Sequence, residues 1–244
     1  METKRNFGLI GRNVSYSFSK KYFEEKFKKL LLQNNSYQIF HLDSISDFPK
    51  LTEENDFAGL NVTIPYKTEI IPFLDELSDE AEKIGAVNCI HFKNGKKTGY
   101  NTDAYGFEKT LFIHKKEQHQ SALVLGDGGA AKAVKYILEK HKIPYQTVSR
   151  KGKLNFENLS PETVSENKLI IQTTPVGTFP DVENVLPFPF HALSEQHLVI
   201  DLVYNPVYSK MTQMASERGA KTVNGYYMLE QQAEKSWEIW NSEV

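Results

Sequence analysis

Ala122-Leu123-Val124-Leu125-Gly126-Asp127-Gly128-Gly129-Ala130-Ala131 decides the fold of this chain. Four apolar residues in a row read as a short strand buried on both faces, as a parallel sheet requires. The glycines end that strand, and residues 132–141 carry a helical pattern. Gly126-x-Gly128-x-x-Ala131 therefore stands in the strand–turn–helix context of the G-x-G-x-x-G/A dinucleotide fingerprint. The first glycine permits a tight turn, and the second lets the backbone approach a pyrophosphate. The small third position lets helix and strand pack closely. N–H groups at the helix start favour the anion. Gly126, Asp127, Gly128, Gly129 and Ala130 are thus candidate cofactor-binding residues. Glycine-rich turns between strand and helix also arise for steric reasons alone.

Further strand signals recur at 145–148, 169–172 and 198–203, the rhythm of a doubly wound, Rossmann-like nucleotide-binding domain. An NAD-binding domain usually carries Asp or Glu about twenty residues after the glycines, to bind the ribose 2′-hydroxyl. Here the second strand ends in Val148-Ser149-Arg150-Lys151, with two cations and no carboxylate. A 2′-phosphate would find a guanidinium and a second positive charge there, so NADP is favoured over NAD. The alternative is a pair of solvated loop cations. Asp127 runs against the rest of the loop, because a carboxylate beside a pyrophosphate repels it unless its side chain points away.

Upstream, strands are expected at residues 7–10, 37–42 and 57–64. Helices are expected at 18–33, with Phe23, Phe27, Leu30 and Leu31 on one face, and at 75–84. Asn94-Gly95 between His91 and Lys97 is a hairpin signal. Strands alternating with helices, interrupted by a hairpin, predict a mixed sheet. The last helix is expected at 226–240, after Gly225.

The bulk numbers set limits on function. The chain has 244 residues, 40% hydrophobic and 25% charged, enough for one large or two small soluble domains. A formal net charge of −2 gives no reason to expect nucleic acid as a main partner. Lys26-Phe27-Lys28-Lys29 and Lys115-Lys116 read as solvated charge on helices or their ends. The single cysteine, Cys89, excludes an internal disulfide and lies in an apolar strand, where a small core residue is the expectation. No apolar run reads as a signal peptide or a membrane span, which fits the cytoplasm. The seven histidines are dispersed without metal spacing, so no metal is expected.

Asn61-Val62-Thr63-Ile64-Pro65-Tyr66-Lys67 is a β-branched strand ended by a proline. Lys67 follows that strand end, where α/β proteins place their chemistry. It can act as a cation, a donor or a proton carrier, or be an ordinary surface charge. Gly85-Ala86-Val87-Asn88 leads into the next strand, and Asn101-Thr102-Asp103 follows the one after it. Asn88 and Asn101 can be turn formers, and Asp103 can cap the periodic segment 105–113.

In this order, Asn-Val-Thr-x-Pro-x-Lys, Gly-Ala-Val-Asn and Asn-Thr-Asp resemble the shikimate dehydrogenase family, and the likeness covers nearly the whole chain. The resemblance implies an α/β fold of two parts. A mixed-sheet substrate and catalytic domain spans residues 1–103, with 226–244 packing back onto it. A Rossmann-like NADP-binding domain spans 104–225. It also implies an oxidoreductase acting on CH–OH, which reduces 3-dehydroshikimate to shikimate with NADPH in chorismate and aromatic amino-acid biosynthesis. Its implied partners are the small-molecule substrate and cofactor, with no nucleic acid and no membrane. Family members differ in assembly, so monomer and homodimer both stay open.

By the same resemblance Lys67 and Asp103 are catalytic and also touch substrate, and which of them is the formal acid stays open. Ser17-Phe18-Ser19 matches the element that holds the substrate carboxylate, with Lys20 where the family usually has proline. Serines before a helix are also common caps. Thr63, Asn88, Asp103 and Gln232 match positions that contact the ring hydroxyls, and Tyr204 matches another pocket residue, although Tyr204 can be a core aromatic and Gln232 an exposed helix residue. Leu202 and Gly225 match the nicotinamide end, and Thr173 lies in a segment, Thr173-Thr174-Pro175, that resembles the loop passing under the cofactor, with Gln172 where the family usually has Asn. Three alternatives remain: a quinate/shikimate dehydrogenase using NAD, which Arg150-Lys151 opposes; a non-catalytic NADP-binding protein, which intact Lys67 and Asp103 oppose; and a one-carbon-folate dehydrogenase of related architecture, which the Ser-x-Ser element and the closing helix oppose.

Overall fold

Continuous apolar runs become interior strands in both parts of the chain. The computed structural model describes residues 4–12, 14 and 17–242. These fall into two units: the described residues up to Thr102 together with those from Ala233 onward, and Asp103–Gln232.

The first unit runs β1 (Arg5–Gly11), α1 (Phe18–Lys29), β2 (Asn35–His41), α2 (Phe48–Glu54), β3 (Phe57–Val62), β4 (Glu76–Leu77), α3 (Asp79–Ile84), β5 (Cys89–Lys93) and β6 (Lys96–Tyr100). Its sheet is mixed, in the order β2-β1-β3-β5-β6-β4. β1 lies parallel to β2 and β3, while β5 is antiparallel to both β3 and β6. The β5–β6 turn is Asn94-Gly95, both with positive φ (52° and 77°), as a two-residue type I′ hairpin demands. Alternation along the strands feeds two cores. Ile10, Leu60, Val62 and Ile90 join Phe48, Tyr66 and Ile70 in one cluster. Phe7, Leu9 and Cys89 join Phe23, Phe27, Tyr37, Ala233 and Trp240 in the other.

The second unit is built from α4 (Thr102–His114) beyond its first residue, β7 (Ala122–Leu125), α5 (Gly129–Lys140), β8 (Tyr145–Val148), α6 (Pro161–Glu166), β9 (Leu169–Gln172), β10 (Leu198–Asp201), α7 (Lys210–Ser216), β11 (Lys221–Val223) and the start of α8 (Tyr226–Trp240). Its sheet is parallel throughout, in the order β11-β10-β9-β7-β8. β7, β9 and β10 are fully buried along their length, which is why they read as unbroken apolar runs. The last turns of α8, carrying Ala233 and Trp240, pack in the core of the first unit, as the expected returning helix requires.

Several boundaries differ from the sequence expectation. The helix expected at 75–84 is a two-residue strand followed by α3, because Ser78 accepts a hydrogen bond from Ala81 N (3.2 Å) and starts the helix there. α1 stops at Lys29, and Leu31 turns to positive φ (58°). β10 ends at Asp201, whose carboxylate draws Val203 N out of the ladder at 2.9 Å. The short strand β11 carried no sequence expectation. Lys26 is not simple solvated charge: its ammonium lies 2.5 Å from Glu234 of α8, with its side chain 15% exposed. No helix among the described residues is long and apolar enough to cross a membrane.

Candidate active site

The parallel sheet aligns its strand ends. Val148, Leu125, Gln172 and Asp201 stand side by side in register across β8, β7, β9 and β10. The strand order reverses between β7 and β9, the switch point where open α/β sheets bind ligands. The expected cofactor residues leave these ends: Gly126 to Ala130 after β7, Ser149 to Lys151 after β8, Thr173 after β9, Leu202 after β10 and Gly225 after β11.

Gly126 has φ of 119°, and a Cβ there would lie 2.5 Å from Thr173 Oγ1, so the turn is restricted to glycine. Thr173 is fixed from below, its N and Oγ1 both donating to Leu125 O at 2.9 and 2.8 Å. Gly128 is the N-cap of α5 with no side-chain capping bond, and a Cβ there would meet nothing within 4 Å. The first-turn N–H donors of α5 thus have no side chain competing for them and room for an approaching anion. Gly129 and Ala130 form that first turn and are half-buried. These features fit a dinucleotide. Arg150 and Lys151 are exposed beyond β8, and Ser149 O accepts from Gly152 N at 3.1 Å to shape their turn.

Gln172 is buried, and its side chain folds into the following loop. Its Oε1 accepts from Thr174 N and Oγ1 at 3.0 and 2.9 Å, and its Nε2 donates to Val176 O at 3.2 Å. Leu202 and Gly225 are immediate neighbours, since a Cβ on Gly225 would fall 2.1 Å from Leu202 O. The loop bearing Leu202 and half-buried Tyr204 is anchored by Asp201. That carboxylate accepts from Val203 N and, at 2.5 Å, from Ser209 Oγ. Burial pushes the Asp201 carboxyl up to about 6. Gln232 on α8 is 9% exposed and donates to Leu229 O at 2.9 Å, so it is no exposed helix residue. α8 meets α4 closely, and a Cβ on Gly106 would sit 2.5 Å from Met228 O.

In the first unit the three motif segments are tied to one another. Lys67 is half-buried in the turn after β3, and its carbonyl accepts from Val87 N at 2.7 Å. Thr63 N donates to Ile10 O, and Asn88 O accepts from Val62 N, both at 2.9 Å. Asn101 Nδ2 donates to Ala86 O at 2.9 Å. Asn88 Oδ1 accepts from Thr102 N at 2.6 Å, capping α4 from a distant segment. This corrects the capping alternative for Asp103. The helix begins at Thr102, and Asp103 is a buried residue of its first turn. Ser17 does cap α1, accepting from Ser19 N at 3.3 Å, and Ser19 is buried.

Sequence reading missed the residue that joins these pieces. Asn61 Oδ1 accepts from Tyr37 OH at 2.8 Å, and its Nδ2 donates to Asn88 O and to Ser236 Oγ at 3.2 and 3.0 Å. Its buried amide in an otherwise apolar strand was the available signal. Cys89 is buried, with its thiol raised to about 12 by desolvation, a core residue as expected. Among the described residues no cluster of His, Cys, Asp and Glu could hold a metal.

A family model described as the shikimate dehydrogenase substrate binding domain matches residues 9–90. The shikimate dehydrogenase (NADP(+)) of Chlorobium chlorochromatii is 37% identical across 98% of this chain and 92% of its own length. The crystal structure of shikimate dehydrogenase from Aquifex aeolicus is similar at a TM-score of 0.85 and 33% identity, covering 99% of this chain and 94% of that one. The Thermus thermophilus shikimate 5-dehydrogenase, solved in complex with NADP(H) and shikimate, is similar at a TM-score of 0.86 and 29% identity, over 97% of this chain and 93% of that one. With its parallel sheet, glycine-rich turn and linked motif segments, the chain belongs to the shikimate dehydrogenase family.

Proposed function

We propose that this chain catalyses the reversible, NADPH-dependent reduction of 3-dehydroshikimate to shikimate. The observation that carries the reading is the bonding of the Lys67 turn to Val87 and of Asn88 to Thr102, which makes one rigid piece of three motif segments. When bound, NADPH supplies hydride to the carbonyl carbon. The chain's own task is to hold the ring and give the ketone oxygen a proton as negative charge develops there. Lys67, an ammonium on a fixed backbone, takes that role. Asp103 binds the neighbouring hydroxyl. Thr63, Asn88, Tyr204 and Gln232 offer donors and acceptors to the ring, and Ser17 and Ser19 hold the carboxylate. Gly126, Asp127, Gly128, Gly129 and Ala130 form the diphosphate loop, and Ser149, Arg150 and Lys151 take the 2′-phosphate. Leu202 and Gly225 border the nicotinamide, and Thr173 lies in the loop that passes under the cofactor. A cytoplasmic setting fits a chain whose one thiol is buried and unpaired with another cysteine.

Shikimate oxidation followed at the nicotinamide absorbance, with NADP and NAD in parallel, tests the reading. The wild type should prefer NADP by at least about tenfold, or roughly 1.4 kcal/mol. Arg150→Ala should weaken NADP and leave NAD nearly unchanged. Equal use of both cofactors, or equal loss of both in the variant, removes the 2′-phosphate assignment. No oxidation of shikimate with either cofactor removes the activity itself.

The serines need a separate measurement, because Ser17 is also a helix cap. Replacing Ser17 and Ser19 with alanine should raise KM for shikimate far more than KM for NADP. The lost cap should cost about 1 kcal/mol of stability in addition. If both KM values rise together, the pair serves folding and not the carboxylate.

A further inference from the structure

Asp127 is the one acidic residue of the glycine-rich loop, and its carboxylate is already engaged. Lys135 Nζ lies 2.5 Å from Asp127 Oδ1. Lys135 sits about two turns into α5, and helical side chains lean toward the N terminus, so its ammonium reaches back to the loop at the helix start. The lysine side chain is 20% exposed and the carboxylate 61% exposed. A pair so open to solvent adds little to folding stability. Its placement has a larger consequence for whatever approaches the loop.

Without a partner, Asp127 would be a full negative charge beside an uncapped helix start. It would compete for the first-turn N–H groups as capping carboxylates do, and it would repel a diphosphate. Engaged by Lys135, the carboxylate has its charge partly offset and is held toward the body of α5. We infer that Lys135 is a positioning residue for cofactor binding: it withdraws Asp127 from the start of α5, so that a loop containing a carboxylate can accept a diphosphate. The inference rests on the dinucleotide reading of this loop. It explains how Asp127 is tolerated between Gly126 and Gly128.

The test is equilibrium binding, measured by calorimetry on the whole chain with NADP, NAD and adenosine 2′-monophosphate, which lacks a diphosphate. Lys135→Ala should weaken NADP and NAD alike, by about tenfold for one uncompensated charge nearby. Binding of adenosine 2′-monophosphate should stay the same. Lys135→Arg, which keeps the cation, should bind as the wild type does. The double variant Asp127→Ala with Lys135→Ala should recover wild-type affinity to within about threefold, since the charge to be withdrawn is gone. Melting temperatures show whether each variant is folded, and the double variant keeps the test decisive if Lys135→Ala is unstable. If the double variant binds no better than Lys135→Ala, or Lys135→Ala binds as the wild type does, the inference is overturned. If the wild type binds neither NADP nor NAD, the dinucleotide reading falls instead and takes the inference with it.

Discussion

Lys67→Ala is expected to fold as the wild type does and to lose turnover by about a hundredfold or more, the usual range for removing a general acid. Folding should survive because the backbone of residue 67 is held independently of its side chain, through Val87 N to Lys67 O at 2.7 Å. The preceding turn is held as well, with Tyr66 fully buried and its hydroxyl donating to Leu42 O at 2.7 Å. The loss should fall mainly on kcat, with a smaller change in KM for shikimate, because the ammonium matters most once charge develops on the carbonyl oxygen. Lys67→Arg separates the two parts of the role. A guanidinium keeps the positive charge but gives up a proton far less readily, so this variant should stay well below wild type. Steady-state rates in both directions decide the matter. Turnover of Lys67→Ala near the wild-type value would take Lys67 out of the chemistry.

How much of this was legible in the sequence depended on the range of the interaction. β7, β9 and β10 were legible because both of their faces are covered, which leaves an apolar run with no alternation. The hairpin was legible because Asn94 and Gly95 are the residue types that tolerate positive φ. β11 was not. Its three residues are exposed or half-buried at a sheet edge, and nothing in Lys221-Thr222-Val223 separates them from a loop. The start of α4 could not be fixed from the local sequence because its cap is remote. Asn88 serves Thr102 from fourteen residues away, whereas local rules look to the adjacent Asp103.

The same limit applied to the site. Gly126 and Gly128 announced themselves through spacing. Lys135, the partner of Asp127, lies eight residues from it and carries no motif. Asn61 was visible as part of a motif, but its bonds run to Tyr37, Asn88 and Ser236, across separations of 24, 27 and 175 residues. The Asn61 hub therefore links the last helix to the motif segments. Ser236 of α8 also lies 3.2 Å from Thr102 Oγ1, so the helix that closes the first unit supports the segment leading into Asp103.

Trp240→Ala should accordingly be the most destabilising single change at the end of the chain. Trp240 is 1% exposed and is among the largest fully buried side chains. Its ring lies 4.9 Å from Phe7 and 5.3 Å from Phe23, centroid to centroid, and packs on the backbone of Gly59. Its indole N–H donates to Ile90 O at 2.9 Å. Truncation removes the aromatic contacts and leaves a cavity in a core that also contains Phe27 and Tyr37. Such a substitution costs about 3–5 kcal/mol, which for a chain of this length lowers the melting temperature by roughly 10 °C. Trp240→Phe should fall between the two, since it keeps much of the volume but not the donor to Ile90. Thermal melting followed by circular dichroism measures all three. The loss should extend beyond stability. Ser236 stands one turn before Trp240 on α8, so loosening the helix end should free the Asn61 hub and raise KM for shikimate at temperatures where the variant is still folded. A melting temperature within about 3 °C of wild type would mean that the aromatic cluster repacks around the gap and that Trp240 does not anchor α8.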